Sequence, residues 1–135
     1  MKTYAYNSAN ELLMRGDLHL DTDPLQVLLL ADTYQPDIGA HVKIADLEAH
    51  EIASPGYFRQ QLESVRIERD ASGMETALFA DDLAWPDSTI VARYYVVARR
   101  DDLIACVDCG VNKYSSDGTL RLEWQPGGVL RLGRP

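Results

Sequence analysis

The amino-acid sequence predicts a mainly β protein, an antiparallel β-sandwich or jelly-roll-like domain with one short N-terminal helix. Several short runs rich in β-branched and aromatic residues follow one another along the chain, and residues 89–99 form the strongest of them. Clusters of Asp, Ser, Pro and Gly separate these runs, as turns separate the strands of an all-β domain. Because 135 residues suit one domain, we expect residues 1–135 to fold as a single β-rich unit.

The short helix is predicted to begin at Ser8 and to end before Gly16. Ser8 and Glu11 match a capping box, in which each side chain bonds the backbone N–H of the other residue. Gly16 can adopt the left-handed conformation that commonly ends a helix. The apolar side would be formed by Leu12, Leu13 and Met14. A helix of about two turns is not stable alone in water, so we expect it to dock on the rest of the domain.

The predicted strands differ in how they would be buried. Residues 25–31 are apolar except for Gln26, which is typical of a strand buried on both faces. Alternation or β-forming composition predicts the later strands at 63–69, 74–80, 89–99, 103–109, 119–124 and 129–132. Between the strands we expect a loop at 34–40, a helical turn or two at 44–51 with Asp46 as N-cap, and a short connection at 81–88.

The charge balance removes several classes of function. The chain has 13 Lys and Arg against 21 Asp and Glu, which gives a net charge of -8. Nucleic-acid-binding proteins need clustered Lys and Arg, so we expect no nucleic-acid partner. The longest apolar run, residues 27–31, is far shorter than the ~20 residues of a membrane span, and the first residues lack the apolar stretch of an export signal. We therefore expect a soluble protein, made without export and without a membrane partner.

Cys106 and Cys109 have the Cys-x-x-Cys spacing of redox and zinc sites. Their neighbours predict a strand that ends at Gly110, and residues three apart on a strand point to opposite faces, so the two sulfur atoms would diverge. A zinc site would also need two more ligands, and the sequence has no second cysteine pair. We predict that both cysteines are small buried hydrophobic residues.

The other candidates for metal or acid–base chemistry are histidines and aspartates. His41 and His50 lie nine residues apart, without the spacing that would put them on one helix face, and we expect solvated side chains. The tripeptide Arg15-Gly16-Asp17 matches an integrin-binding motif, but Gly16 already has a structural role at the helix end. Turn positions, where Asp bonds its own backbone, account for Asp21, Asp23, Asp81, Asp82, Asp101 and Asp102.

Sequence patterns of common enzyme classes are absent. The chain contains no phosphate-binding loop, no Gly-x-Ser-x-Gly turn and no dinucleotide-binding fingerprint. Trp124 alternates with Leu120 and Leu122, which predicts core packing in preference to an exposed sugar-binding platform. We predict a protein that is not an enzyme and has no catalytic, cofactor-binding or metal-binding residues.

A series of motifs runs in order through nearly the whole chain. It begins with Tyr34-x-Pro36-Asp37 after an apolar strand, and continues with His41, Glu51 and Gly56-Tyr57. It goes on through Phe79-Ala80-Asp81-Asp82-x-x-Trp85-Pro86, Ile90-x-Ala92-Arg93-Tyr94, Leu103-Ile104-Ala105, Asp108-x-Gly110, Gly118, Leu120, Leu122, Trp124 and Gly128. In content, order and spacing this series resembles small virion structural proteins of tailed bacteriophages. The chain departs from that family at Cys106 and Cys109, where an aromatic or aliphatic strand is expected.

The resemblance implies a particle component without catalysis and without a cofactor. We expect a virion protein, made in the cytoplasm of the bacterial host, that acts as a capsid decoration or cement protein and binds the major capsid protein or other virion proteins. A homo-oligomer would strengthen such binding through avidity. A tail or head–tail connector component is the alternative within this class. The segments 3–6 and 129–132 are candidates for docking on the sheet edge of a neighbouring chain.

A carbohydrate- or receptor-binding β-domain stays open as a function of a different class. Such a domain would place exposed aromatic side chains and carboxylates around a concave site. A particle component would instead make extensive contacts between chains.

Overall fold

The computed structural model describes residues 1–133 and confirms the predicted mainly β class, with 47% strand and 11% helical residues. The helix α1 spans Asn7–Arg15, and two 3-10 turns span Ile44–Asp46 and Glu48–His50. The strands in the described residues are β1 Lys2–Ala5, β2 Leu25–Leu30, β3 Gln60–Gln61, β4 Arg66–Arg69, β5 Glu75–Phe79, β6 Leu83–Ser88, β7 Val91–Arg99, β8 Asp102–Tyr114, β9 Gly118–Leu122 and β10 Leu130–Gly133.

The strands form one large and two small antiparallel sheets. The large sheet has the strand order β1-β8-β7-β2-β3, and the small sheets have the orders β10-β5-β4 and β6-β9. The pairing of β2 with β7 runs from Leu25 opposite Arg99 to Leu30 opposite Tyr94. Since β2 lies inside the large sheet and both its faces are covered, its nearly continuous apolar sequence fits its position.

One face of the large sheet packs against the small sheets and α1 in a sandwich-like arrangement. We call this cluster the sandwich core, and its members include Val27 of β2, Val97 of β7, Trp85 of β6 and Leu122 of β9. These four side chains are fully buried. The indole N–H of Trp85 donates to the backbone oxygen of Phe58 at 2.7 Å, which satisfies the one polar atom of that side chain.

The opposite face of the large sheet is covered by the irregular segment 31–51. We call this second cluster the loop-covered core. Its sheet residues are Leu28, Leu30, Tyr94, Val96, Ala98, Leu103 and Cys106, and they are covered by Tyr6, Tyr34, Ile44 and Leu47. The large sheet is therefore the central layer of the fold, with regular structure on one side and mainly loop on the other.

The start of α1 differs from the prediction. Tyr6, and not Ser8, occupies the N-cap position, and it makes no side-chain capping bond. The Ser8 hydroxyl is instead buried without a hydrogen-bond partner. Tyr6 is fully buried in the loop-covered core, and this packing outweighs the local capping signal.

The end of α1 confirms the role of Gly16, which has φ 76° and donates its N–H to the Leu13 oxygen at 3.1 Å. The predicted apolar side is only partly correct. Leu12 and Leu13 pack against the sandwich core, whereas Met14 is 90% exposed.

The predicted connection at 81–88 is in fact mostly strand β6, which pairs with β9. Its Pro86 and Asp87 lie in a β-bulge between Trp85 and Ser88. A bulge takes up an extra residue and tolerates the missing N–H of proline, so these turn-forming residues do not end the strand.

The predicted end of a strand at Gly110 is also wrong, because β8 continues to Tyr114. Gly110 has φ 79° and lies where the register between β7 and β8 shifts. In both strands, turn-forming residues mark a bulge and not an end.

The segment 44–51 confirms the predicted helical turns, as two 3-10 turns. Asp46 is the last residue of the first turn and not its N-cap. Its carboxylate folds back and accepts the backbone N–H groups of Val42 and Lys43, both at 2.9 Å.

The two segments expected to dock on a neighbouring chain pair within their own chain. β1 is bonded to β8, with Lys2 opposite Asp108, and β10 is bonded to β5, with Leu130 opposite Leu78. One edge of each strand is therefore used within the chain, and docking of these segments on a neighbouring chain stays a prediction. Each remains the outermost strand of its sheet.

Candidate functional site

Residues of the motif series pair with one another across the fold. The Tyr34 hydroxyl lies 2.9 Å from Nδ1 of His41 and 2.7 Å from the hydroxyl of Tyr6. Burial raises the pKa of Tyr34 to about 12, so the phenol stays neutral in this chain of hydrogen bonds. These hydrogen bonds connect the loop 34–41 to Tyr6, which is the N-cap residue of α1.

A second pair of motif residues, Tyr57 and Glu51, forms a hydrogen bond at the C-terminal end of the segment 31–51, which covers the large sheet. The Tyr57 hydroxyl donates to the Glu51 carboxylate and accepts the Leu29 N–H at 3.3 Å. The Arg59 guanidinium donates two further bonds to Glu51, at 2.8 and 2.7 Å. Burial alone would raise the pKa of Glu51, but the bonds from Arg59 and Tyr57 outweigh it and lower that pKa.

Three other motif residues also have structural partners. Oδ1 of Asp82 accepts the backbone N–H of Trp124 at 3.0 Å. Asp108 accepts the N–H of Gly110 at 2.8 Å. A Cβ at Gly56 would lie 2.6 Å from Cα of Ser88, so only glycine fits this close approach. These motif residues thus hold the fold together and do not line a common pocket.

Both cysteines are free and buried, as predicted. Cys106 belongs to the loop-covered core and Cys109 to the sandwich core, which confirms that they point to opposite faces of β8. Burial raises the pKa of the Cys106 thiol to about 12 and also raises that of Cys109. Neither sulfur is activated as a thiolate at neutral pH.

The histidines differ from the expected solvated side chains. His41 and His50 are half-buried and both rings stand against Tyr34, with ring centroids 5.5 and 5.7 Å away. His50 also bonds the Thr33 hydroxyl at 2.9 Å through Nδ1. Within residues 1–133, no group of three or more His, Cys, Asp or Glu side chains is arranged to hold a metal ion.

Two of the candidate aspartates, Asp23 and Asp102, belong to an ion-pair network around Arg99. Its Nη1 lies 3.0 Å from Asp23 and its Nη2 lies 2.9 Å from Asp102, which also contacts Lys43. Backbone and Arg99 bonds lower the pKa of Asp23, and bonds from Lys43 and Arg99 overcome burial to lower that of Asp102. A general acid needs a raised pKa, so these carboxylates are suited to structural pairing.

A polar cleft of about 490 Å³ lies beside β3, between residues 58–63 and 81–84. Phe58 is 56% exposed there, next to the side chains of Gln61, Glu63 and Asp81. The neighbouring Gln60 is tied to the backbone oxygen of Ala84 at 2.7 Å. An exposed aromatic ring beside amides and carboxylates is the arrangement expected of a carbohydrate-binding domain.

A second cleft, of about 310 Å³, lies between β1 and β10, which are the outermost strands of two different sheets. Thr3 and Ala5 line one side, and residues 129–132 line the other. We call this the edge cleft. An outermost strand carries a row of backbone N–H and C=O groups on its free side, which can pair with another chain. Two such strands flank one opening here.

No protein-family model, curated protein or solved structure significantly matches the chain. In residues 1–133, no helix has the length and apolar character needed to span a membrane. The sequence patterns predicted neither cleft, because each brings together residues from distant parts of the chain. The available signal was that the segments 3–6 and 129–132 are both candidates for docking on the sheet edge of a neighbouring chain.

Proposed function

We propose that the protein is a non-enzymatic structural protein of a tailed-bacteriophage virion, a capsid decoration or cement protein that binds the major capsid protein. The observation that carries this proposal is the edge cleft. A strand of a partner protein that enters it can pair with β1, with β10, or with both. A capsid presents many identical copies of a partner, so a modest contact at each copy gives stable attachment.

The motif series supports the same class of protein. Its residues form the frame of the fold, through contacts such as Tyr34 with His41, Glu51 with Tyr57 and Asp82 with Trp124. A shared set of frame residues is what related folds have in common, while docking surfaces vary. The net charge of -8 suits a position away from the packaged genome, because nucleic acid is also negative.

Cryo-electron microscopy of particles assembled with and without the protein tests the proposal. We expect density for this domain on the outside of the head, and a loss of heat resistance in particles that lack it. Density at the tail or at the head–tail junction would replace the decoration role with the alternative in the same class. Absence of the protein from purified particles would rule out a virion role altogether.

A matched pair of variants tests the edge cleft itself. Thr3→Lys places a charged side chain in the cleft, while Thr119→Lys makes the same change at an exposed position on β9. We expect the first variant to lose binding to protein-free particles and the second to keep it. Equal binding by both variants would contradict docking at this cleft.

Carbohydrate binding is a second candidate because of the polar cleft beside β3. Phe58 would stack on the sugar ring, and Gln61, Glu63 and Asp81 would bond its hydroxyl groups. Binding to an array of bacterial surface glycans, lost in Phe58→Ala and kept in the equally exposed control Val111→Ala, would favour this function.

A further inference from the structure

A pocket of about 340 Å³ opens beside the turn between β7 and β8, and we call it the arginine pocket. It is lined by Pro24, Leu25, Gln26, Arg59, Gln61 and Arg100. Two of these residues carry a positive charge, two carry a side-chain amide, and none carries a carboxylate. In a chain with a net charge of -8, this lining is a local excess of positive charge, which favours an anionic ligand.

The fold itself does not explain the side chain of Arg100. Arg100 and Asp101 form the turn between the paired residues Arg99 and Asp102, and Arg100 has φ 52°. Glycine, asparagine and aspartate are favoured at such a position, whereas other residues strain the backbone. The Arg100 guanidinium is exposed and makes no hydrogen bond or ion pair within residues 1–133. No contact of this side chain offsets the strain, so its N–H donors are available to a ligand.

Arg59, by contrast, is held in place by a carboxylate. Its Nε and Nη2 donate to the two oxygens of Glu51, at 2.8 and 2.7 Å, and Glu48 lies 3.6 Å from the same Nη2. Nη1 makes no hydrogen bond in the described part of the chain, so its two N–H groups remain free on an oriented guanidinium. Because Glu51 balances the charge of Arg59, the uncompensated charge of the pocket is that of Arg100.

Two glutamines add amide groups to the pocket. Gln26 interrupts the apolar sequence of β2 and lies directly opposite Gln61 of β3, so the two side chains project from the same face of the sheet. Nε2 of Gln26 donates to the backbone oxygen of Arg100 at 3.1 Å, which connects the amide pair to the turn. Gln61 is exposed, and its amide forms no hydrogen bond with any described residue. The amide of Gln61 can therefore bond a ligand.

The arginine pocket adjoins the polar cleft beside β3, because Arg59 and Gln61 line both. The cleft contains the exposed ring of Phe58 and the carboxylates of Glu63 and Asp81, while the pocket contains Arg100. A ligand that crosses β3 meets acceptors for hydroxyl groups on one side and a positive charge on the other. An oligosaccharide with a neutral sugar next to an acidic sugar has this arrangement of groups.

We propose that the arginine pocket binds the carboxylate of an acidic sugar, while a neighbouring neutral sugar lies in the polar cleft. This inference rests on carbohydrate binding, the second candidate function, and names the class of glycan. A carboxylate carries one negative charge, which matches the single uncompensated charge of Arg100, and its planar group accepts paired N–H bonds from a guanidinium. A phosphate monoester would bring nearly two negative charges towards Glu48 and Glu51.

Two matched disaccharides test the proposal. One is glucuronate linked to N-acetylglucosamine, and the other is its carboxyl-reduced form, in which glucose replaces glucuronate. In NMR titrations of the isotope-labelled protein we expect about tenfold tighter binding of the acidic form, the size of one charge-assisted hydrogen bond. Arg100→Gln should abolish this preference. Arg69→Gln, the same change at an exposed arginine of β4 that lines neither the pocket nor the cleft, should keep it.

The variant Arg100→Gly separates a loss of binding from a loss of folding. Glycine adopts φ 52° without strain, so the variant should unfold at the same temperature as the natural protein or at a higher one. Its preference for the acidic disaccharide should nevertheless be lost. A clear fall in the unfolding temperature would mean that the Arg100 side chain stabilises the fold, which contradicts its assignment to a ligand.

The remaining outcomes distinguish a failure of this inference from a failure of carbohydrate binding. Equal binding of the two disaccharides by the natural protein would rule out the carboxylate site and leave carbohydrate binding in place. An unchanged preference in Arg100→Gln would place the carboxylate elsewhere. An N-acetylated dipeptide that binds through its terminal carboxylate as tightly as the acidic disaccharide would assign the pocket to a peptide. If neither disaccharide nor any arrayed glycan binds, carbohydrate binding fails and this inference fails with it.

Discussion

The two faces of the large sheet are covered in different ways. The sandwich core is closed by strands and α1, with apolar side chains such as Trp85 and Leu122. The loop-covered core is closed by segment 31–51, whose cover includes the hydrogen-bonded side chains Tyr6 and Tyr34. Strands satisfy their backbone groups within a sheet, whereas a loop must find partners elsewhere. A sheet covered by loop therefore needs more side-chain hydrogen bonds to hold that cover in one conformation.

The largest expected effect is in the sandwich core. Trp85→Ala should lower the free energy of unfolding by about 3–5 kcal/mol, because it removes a fully buried aromatic side chain and leaves a cavity. Urea denaturation followed by fluorescence of Trp124 measures the change. A loss below about 1.5 kcal/mol would mean that the small sheets contribute little to the stability of the large one.

The next effect tests the hydrogen bonds of the loop-covered core. Tyr34→Phe should cost about 1–3 kcal/mol, since Tyr6 and His41 both lose their partner. A double-mutant cycle with Tyr6→Phe should show clear coupling between the two hydroxyl groups. If the losses of stability in the two single variants simply add, the loop-covered core does not depend on this hydrogen bond in the way that we propose.

Alkaline pH tests the two cysteines, one in each core. The folded chain keeps the Cys106 proton to a pKa of about 12, while the unfolded chain releases it near 9.0, so stability should fall as pH rises above 9. At pH 10 this group accounts for about 1.4 kcal/mol of the loss. Comparison of urea curves at pH 8 and 10 should show a smaller loss in Cys106→Ala, and an intermediate one in Cys109→Ala. If both variants lose as much stability between pH 8 and 10 as the natural protein, then burial does not raise the pKa of either thiol in the folded chain.

The smallest effect concerns the end of the covering segment at Glu51. Because its pKa is lowered in the folded protein, its stabilisation is present above about pH 4.5 and is lost as pH falls below that value. Glu51→Gln should cost about 1 kcal/mol at pH 7 and little at pH 3. The control Glu63→Gln, at an exposed carboxylate whose side chain has no hydrogen bond within residues 1–133, should be neutral at both pH values. An equal cost for Glu51→Gln at both pH values would exclude a role for its charge.

The fold could be predicted further than the candidate site. The apolar run at residues 25–31 predicted a strand that is buried on both faces. The spacing of Cys106 and Cys109 predicted that their side chains point to opposite faces of one strand. The prediction was wrong at Pro86 and Gly110, because turn-forming residues also occur in bulges, and only the partner strand distinguishes the two. The edge cleft was not predicted, since Thr3 and Leu130 meet only after the sheets have formed.

The sequence by itself determined the mainly β class, the end of α1 at Gly16 and the burial of both cysteines, because these depend on local periodicity and backbone preference. The tertiary structure alone decided that Tyr6 is the N-cap of the helix, that β1 and β10 flank one cleft, and that Met14 stays exposed. Those features depend on contacts between residues far apart in the chain, which no local pattern encodes.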